Sequence, residues 1–515
     1  MNGADALIQT LADCGVDICF ANPGTSEMQL VAALDQQPNI RAVLGLFEGV
    51  VTGAADGYGR MADKPAATLL HLGPGLANGL ANLHNAKRAY SPVINIVGDH
   101  AVGHLEFDAP LTSDIVGVST PMSDWVRTST SPDDLAAAGA EAFGHAQSYP
   151  GKVATVIAPA DHAWTDGASV AVPEAKDVRE TADQALIDGA AKALGRDGAS
   201  ALFLGGRALR EDALEQAGRI AAATGARIIC ETFPARLQRG AGRVPVERLP
   251  YFGEMAADYL KEFKQIIFVG ANPPVSFFAY PDKPSWLSPE NAELIKLATA
   301  RIDAFDALKR LADNLGATEN PSLQQAATPP ACEDGKLNAM NAGTVIGELL
   351  PEDTIVSDEA ATAGLAVFPQ TQGSPRHDWL TLTGGAIGQG LPLSIGAAFA
   401  CPDRKVLALQ ADGSAMYTVQ ALWTMARENL DIVTVILNNG SYAILNIELQ
   451  RVGVTNPGPK ALSLLDLTKP AIDWVSISEG MGVPAMKAET VSAFRDALAG
   501  ALAGKGPRLI EAIIA

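Results

Sequence analysis

The stretch Lys405–Ser441, KVLALQADGSAMYTVQALWTMARENLDIVTVILNNGS, decides how this chain folds. Lys405 to Gln410 is apolar enough for a buried strand, and Asp431 to Leu437 reads as a second. Between them, Met416 to Leu430 carries apolar residues at helical spacing. Strand, helix and strand make a βαβ unit, whose handedness makes the two strands parallel. Parallel strands bring their carboxyl ends to one edge, where open α/β sheets bind ligands. Asp412 and Asn439, distant in the chain, therefore meet on one rim. A carboxylate, a carboxamide oxygen and a nearby main-chain carbonyl are hard oxygen donors that suit magnesium bridging a diphosphate. Gly413 and Ser414 open the helix, so their amides and its positive end face the same phosphates. Taken singly, Asp412 is an ordinary helix cap and Asn439-Gly440 a common turn. The spacing of the two, each at a strand end, makes the pair specific.

Length and composition set the frame around this unit. A chain of 515 residues exceeds one core and fits about three domains. Hydrophobic content of 48% and 49 glycines describe a folded α/β protein. The net charge of −20 argues against a nucleic-acid partner, whose binding rests on clustered Lys and Arg. Cys14, Cys19, Cys230, Cys332 and Cys401 are scattered without metal-ligand spacing, and read as free thiols. With neither a leader-like start nor an apolar run of about 18 residues, a cytoplasmic protein without membrane attachment is expected.

Three α/β domains are expected. Strand-like runs at Asp17 to Ala21, Ala67 to His71 and Val93 to Val97 define a first domain, 1–160. Residues 161–184 lose periodicity and read as a linker. A middle domain, 185–315, holds strands at Ala201 to Leu204, Arg227 to Cys230 and Gln265 to Val269. Residues 316–336 are polar and punctuated by proline, an exposed connection. The third domain, 338–515, contains the quoted unit and ends on a strand from Leu509 to Ala515.

The quoted segment resembles the cofactor signature of thiamine diphosphate (ThDP) enzymes, Gly-Asp-Gly followed after a gap by Asn-Asn. Ala411 replaces the first glycine, at a position that ends the strand. The resemblance extends over the whole chain and implies three tandem doubly wound parallel-sheet domains, namely pyrimidine-binding, middle and diphosphate-binding. It implies Asp412, Asn439 and the Ser441 carbonyl as Mg²⁺ ligands, with Gly413, Ser414 and Tyr442 beside the diphosphate. Gly384-Gly385-Ala386-Ile387-Gly388 resembles the loop that holds the pyrimidine ring. There the Gly385 carbonyl accepts the aminopyrimidine hydrogen bond, and Ile387 wedges between the two rings. Thr362, in Asp358-Glu359-Ala360-Ala361-Thr362, matches a phosphate donor, though on sequence alone it reads equally well as a helix residue.

Glu48 lies in LFEGVVTGAADGYGRMADKP, which resembles the family segment carrying the glutamate that drives the cofactor into its imino tautomer. Gly49, Gly53 and Gly57 leave one helix face bare, as close packing at an interface requires. From spacing alone, Glu48 is also a first-turn glutamate favoured by the helix dipole. In the family this glutamate serves a cofactor held by the partner subunit. That implies a homodimer at minimum and a homotetramer as the assembly.

Asn22-Pro23-Gly24-Thr25 resembles the Asn-Pro-Gly-Ser turn of benzoylformate decarboxylase. Pro23 and Gly24 then fall at the cofactor, and Thr25 supplies the hydroxyl. His71, ending a strand, matches that enzyme's first active-site histidine, a proton carrier near neutral pH. His100, His104 and His377 are read as loop residues near the pocket. Two departures bear on the reaction. Pro274 to Tyr280 lacks the second histidine of that enzyme, and Asp108-Ala109-Pro110-Leu111 replaces the Asp-Ala-Phe-Gln run of acetohydroxyacid synthases. The flavin-associated Arg-Phe-Asp-Asp-Arg pattern is missing, so flavin is not expected. The resemblance thus implies a ThDP- and Mg²⁺-dependent 2-oxo acid decarboxylase or carboligase, most like short flavin-free acetolactate synthase large subunits. A flavin enzyme of the pyruvate oxidase type and a catalytically idle ThDP-binding protein are the alternatives.

Overall fold

The computed structural model describes residues 1–172 and 179–514. Residues 173–178 of the expected 161–184 linker, and Ala515 of the expected last strand, lie outside the described residues. Three sheets carry the architecture. The first has six parallel strands in the order Arg41–Leu44, Ile18–Asn22, Ala66–Leu70, Val93–Asp99, Val153–Pro159, Trp125–Thr128. The second has five, in the order Glu247–Arg248, Arg227–Cys230, Ala199–Leu204, Phe263–Val269, Glu293–Ala298.

The third sheet has seven strands, in the order Ala485–Ala488, Arg508–Ile513, Ile432–Asn438, Val406–Ala411, Thr354–Glu359, His377–Thr381, Leu237–Arg239. Its last pair is antiparallel and is made by a strand that leaves the middle of the chain to join this sheet. Val406–Ala411 and Ile432–Asn438 are adjacent and parallel, as their apolar runs require. Their strand interiors are buried on both faces, the arrangement expected when helices cover both sides of a parallel sheet.

The stretch Met416 to Leu430 is not the single helix expected. A short helix, Asp412–Ala415, passes into a 3₁₀ turn, Met416–Thr418, and a second helix runs over Ala421–Arg427. Thr418 Oγ1 donates to the Gly388 carbonyl at 2.8 Å, a bond that ties this break to the neighbouring loop.

Helix Glu48–Ala62 packs on helix Gly390–Ala400 of the third sheet, and this contact accounts for the glycines at 53 and 57, whereas a Cβ at Gly49 would meet the Phe47 ring. A Cβ on Gly57 would lie 2.0 Å from the Leu393 carbonyl oxygen, and one on Gly396 1.8 Å from that of Ala54. Apolar burial continues across the units. One cluster joins Val50 and Leu76 to Leu393 and Val406, and another joins Leu202 and Val269 to Leu407 and Leu437. Among the described residues, no helix is long and apolar enough to cross a membrane.

Candidate active site

In the third sheet the chain reverses direction between Thr354–Glu359 and Val406–Ala411. The crevice outside the carboxyl ends at such a switch point is where doubly wound sheets hold ligands. Asp412 follows one of these strands, and the Asn438–Ser441 turn follows the next strand over. A hydrogen bond joins them directly, from Gly440 N to Asp412 Oδ2 at 2.8 Å, while Gly413 N donates to Oδ1 at 3.0 Å. The turn needs glycine at 440, where φ is +66°.

Asn438 holds the turn, donating to Glu511 Oε1 at 2.8 Å and accepting from Gly440 N at 3.0 Å. Asn439 Oδ1 accepts from Ser441 N at 3.0 Å. Asp412 is 2% exposed, and burial raises its carboxyl above the usual range against the opposing pull of amides at Gly413 and Gly440. Among the described residues no basic side chain pairs with it. The Tyr442 ring stands against Gly413, where a Cβ would lie 2.3 Å away. Ser414 Oγ bonds to the carbonyls of Ala411 (3.2 Å) and Glu359 (3.3 Å). Thr362 is the second residue of helix Ala361–Gln370, on the same edge.

The loop Gly384–Gly388 is gripped by two sets of side chains that the sequence reading missed. Asn85 Nδ2 donates to the Ala386 carbonyl at 2.7 Å, and Ala386 N donates to Asn85 Oδ1 at 3.2 Å. Asn82 Nδ2 bridges the carbonyls of Gly49 (2.8 Å) and Gly388 (3.3 Å), and His84 Nε2 lies 3.1 Å from the Gly384 carbonyl. On the other side Glu359 accepts from the amides of Gly388, Gln389 and Gly390. Burial pushes its carboxyl up to about 7. Gly385 is exposed and Ile387 half-buried. Asn78, Asn82 and Asn85 recur at helical spacing on helix Leu72–Ala89. That polar stripe on a Gly/Ala/Leu helix was the available signal.

The first sheet has its own switch point, between Ile18–Asn22 and Ala66–Leu70. Asn22 ends one strand, the Pro23-Gly24-Thr25 turn follows it, and His71 follows the other. Glu48 is the first residue of its helix, after Phe47. Its Oε2 accepts from Asn78 Nδ2 at 3.0 Å, and its Oε1 faces Gly75, where a Cβ would lie 3.2 Å away.

Glu27 was also missed. It is fully buried, with Oε2 2.8 Å from His71 Nδ1 and accepting from Gly24 N at 2.7 Å. Burial raises its carboxyl, while the Gly24 amide and His71 oppose the rise. The ring of His71 lies where a side chain at position 24 would begin, 2.3 Å from a Cβ there. Thr25 is exposed beside them. The structure thus gathers Pro23, Gly24, Thr25 and His71 at one edge, with Glu48 beside the helix that follows His71. Asp412, Asn439, Ser441 and Tyr442 gather at another. Among the described residues, no hydrogen bond or ion pair links Glu48 to Asp412.

Two of the remaining histidines stay at the first sheet. His100 follows strand Val93–Asp99, and its ring centroid is 5.3 Å from that of His104. His377 is not a loop residue near the pocket. It is fully buried at the amino end of strand His377–Thr381, the edge opposite to Asp412. Burial lowers its pKa to about 3, so it stays neutral.

Residues 1–118 match the thiamine pyrophosphate enzyme N-terminal TPP binding domain, and residues 363–512 match the C-terminal TPP binding domain. The chain is 54% identical to the protein named "Putative acetolactate synthase large subunit IlvX" of Mycobacterium tuberculosis, covering 100% of this chain and 99% of that one. It is 28% identical to benzoylformate decarboxylase of Pseudomonas aeruginosa, over 96% of each. The fold is that of the ThDP-dependent 4-hydroxybenzoylformate decarboxylase of Rhodococcus jostii RHA1, with a TM-score of 0.87 and 24% identity over 100% of this chain and 99% of that one. With both TPP binding domains matched and a close relative aligned from end to end, the chain belongs to the thiamine diphosphate-dependent enzyme family that includes acetolactate synthase and benzoylformate decarboxylase.

Proposed function

We propose that this protein is a ThDP- and Mg²⁺-dependent enzyme that decarboxylates a 2-oxo acid, then protonates the product or joins it to a second carbonyl compound. The observation that carries the reading is the Gly440–Asp412 bond, which fixes a buried carboxylate beside the Asn439–Ser441 turn. A buried carboxylate with amide partners alone is costly, and a divalent cation relieves that cost. One carboxylate, the Asn439 oxygen and the Ser441 carbonyl are the hard donors magnesium takes when phosphates fill its other positions. Gly413, Ser414, Thr362 and Tyr442 then border the diphosphate. Gly385, Ala386 and Ile387 would hold the pyrimidine, with Pro23 and Gly24 contributed by the first unit of the other subunit.

ThDP supplies, when bound, a nucleophilic carbon that adds to the ketone of a 2-oxo acid and takes up the electron pair left by CO₂. The chain's own groups do the rest. The Glu48 carboxyl, oriented by Asn78, would exchange a proton with the aminopyrimidine. Glu27 holds Nδ1 of His71, which leaves Nε2 to give and take protons on the substrate side. Thr25 donates its hydroxyl to the substrate. Phe277, in the segment without a second histidine, packs edge-on to Phe233 with ring centroids 5.1 Å apart. With no imidazole there to deliver a proton, carboligation gains over simple decarboxylation.

Glu48 and Asp412 serve one site from two subunits. A homodimer is then the minimum active unit, a homotetramer the assembly, and the cytoplasm the location. The deciding experiment measures CO₂ release from a panel of 2-oxo acids, aliphatic and aromatic, with ThDP and Mg²⁺. Turnover of at least one acid at about 1 s⁻¹ or faster is expected. A panel without any turnover above the protein-free rate sinks the reading.

A further inference from the structure

The middle sheet has a switch point of its own, which the proposed reaction does not use. Its chain order turns between Ala199–Leu204 and Phe263–Val269, and these strands leave at Gly205-Gly206 and Gly270. The end of helix Glu48–Ala62 closes over this edge from the first unit. Between the two units lies a cavity of about 30 Å³. Arg60, Arg207, Arg210 and Arg236 line it, and Asp63 is the one carboxylate in the lining among the described residues.

Charge does not balance at this cavity. Arg60 is committed to Asp56, through Nε at 2.8 Å and Nη2 at 2.7 Å. Arg236 is committed to Asp378 at 2.6 Å. Arg207 and Arg210 share a single oxygen, Asp63 Oδ1, at 2.8 and 3.2 Å. The Nε and Nη1 atoms of Arg210 are buried and have no hydrogen-bond partner among the described residues. Burial, aided by Arg236, lowers the Arg210 pKa to about 9. Glu231 stands behind the glycines and accepts from Gly206 N at 3.4 Å, but burial pushes its carboxyl up to about 7 and so reduces the charge it presents. Guanidinium donors left unsatisfied in a buried site are expensive, and their planar fork matches an oxyanion.

We propose that this cavity binds one small tetrahedral oxyanion of the inorganic phosphate class, held by Arg210 and Arg207, and that the anion ties the first unit to the middle one. The volume admits a few water-sized atoms and falls far below what a nucleoside needs.

The test titrates inorganic phosphate into phosphate-free protein by calorimetry and follows thermal unfolding, against NaCl at matched ionic strength and against ADP. One phosphate per chain is expected, with a Tm rise of about 3 °C at hundredfold excess over Kd and no effect of NaCl. Arg210→Met should weaken binding at least tenfold. Because that buried position is able to compromise folding, Arg207→Gln, whose side chain is 29% exposed, is the second variant and should do the same. Arg196→Gln, a surface control paired with Glu293, should bind as wild type. Absence of saturable phosphate binding, unchanged affinity in Arg207→Gln, or tighter binding of ADP than of phosphate overturns the proposal. Binding lost in Asp412→Ala but kept in Arg207→Gln places the anion in the active site and overturns it too.

Discussion

Oε2 of Glu27 lies 2.8 Å from Nδ1 of His71 and also takes the Gly24 amide, so one buried carboxylate fixes both the turn before it and the imidazole beyond it. As a positioning residue, Glu27 sets which ring nitrogen faces outward. Glu27→Gln keeps the shape but removes the charge that orders the tautomer. Turnover should fall about 10- to 100-fold with ThDP affinity unchanged. Equal losses in turnover and cofactor affinity would instead mark Glu27 as a purely structural support.

Asp412→Ala removes the carboxylate that accepts from Gly413 N and Gly440 N and leaves Gly440 N bonded to Asn438 Oδ1. The variant should fold but lose ThDP on gel filtration in Mg²⁺. Full cofactor retention together with full turnover is the result that excludes Asp412 from the metal site.

The placements that were legible in the sequence are those where chemistry and periodicity coincide. Asp412 and Asn439 directly follow buried parallel strands, so an apolar run pointed to each. The rest depended on tertiary partners. Leu237–Arg239 is three residues long and gains its place by pairing with His377–Thr381, a relation no local pattern encodes. The break at Met416–Thr418 depends on the Gly388 carbonyl. His377 looked like a loop residue because polar and proline neighbours surround it, whereas the third sheet buries it entirely. Glu27 carries no motif, and its role appears once Gly24 and His71 meet around it.

Asn85 grips Ala386 through both main-chain groups and is fully buried. Asn85→Ala should cost about 1–3 kcal/mol, because it strands the half-buried Ala386 amide and carbonyl. The Gly384–Gly388 loop, proposed to border the pyrimidine, should loosen as well. A ThDP Kd raised about tenfold in fluorescence titration, with a lower Tm, is expected. Unchanged ThDP affinity at a lowered Tm limits Asn85 to scaffolding.

Glu359 gives a pH prediction. Burial raises its carboxyl from 4.5 to about 7, so its contribution to stability is fully present below pH 4.5 and is lost as pH rises through about 7. The loss is at most on the order of 3 kcal/mol, because three amides partly hold the charged form. Thermal midpoints measured from pH 5.5 to 8.5 should fall more steeply for wild type than for Glu359→Gln. Parallel curves would show that the amides already compensate the charge.

Glu48 and Asp412 give the test of a shared site. Glu48→Gln should still bind ThDP, but exchange of the cofactor's ring proton with deuterium should slow at least 100-fold. Asp412→Ala should fail at the other end, by losing the cofactor. Each variant alone is then inactive for a different reason. If one site takes Glu48 from one subunit and Asp412 from the other, a mixed dimer holds one site with both intact groups and one with neither. Mixing the two variants under conditions of subunit exchange should therefore restore activity, up to about a quarter of wild type per subunit when exchange is random. If both groups came from the same chain, no mixture would assemble an intact site, and the restored activity would be zero.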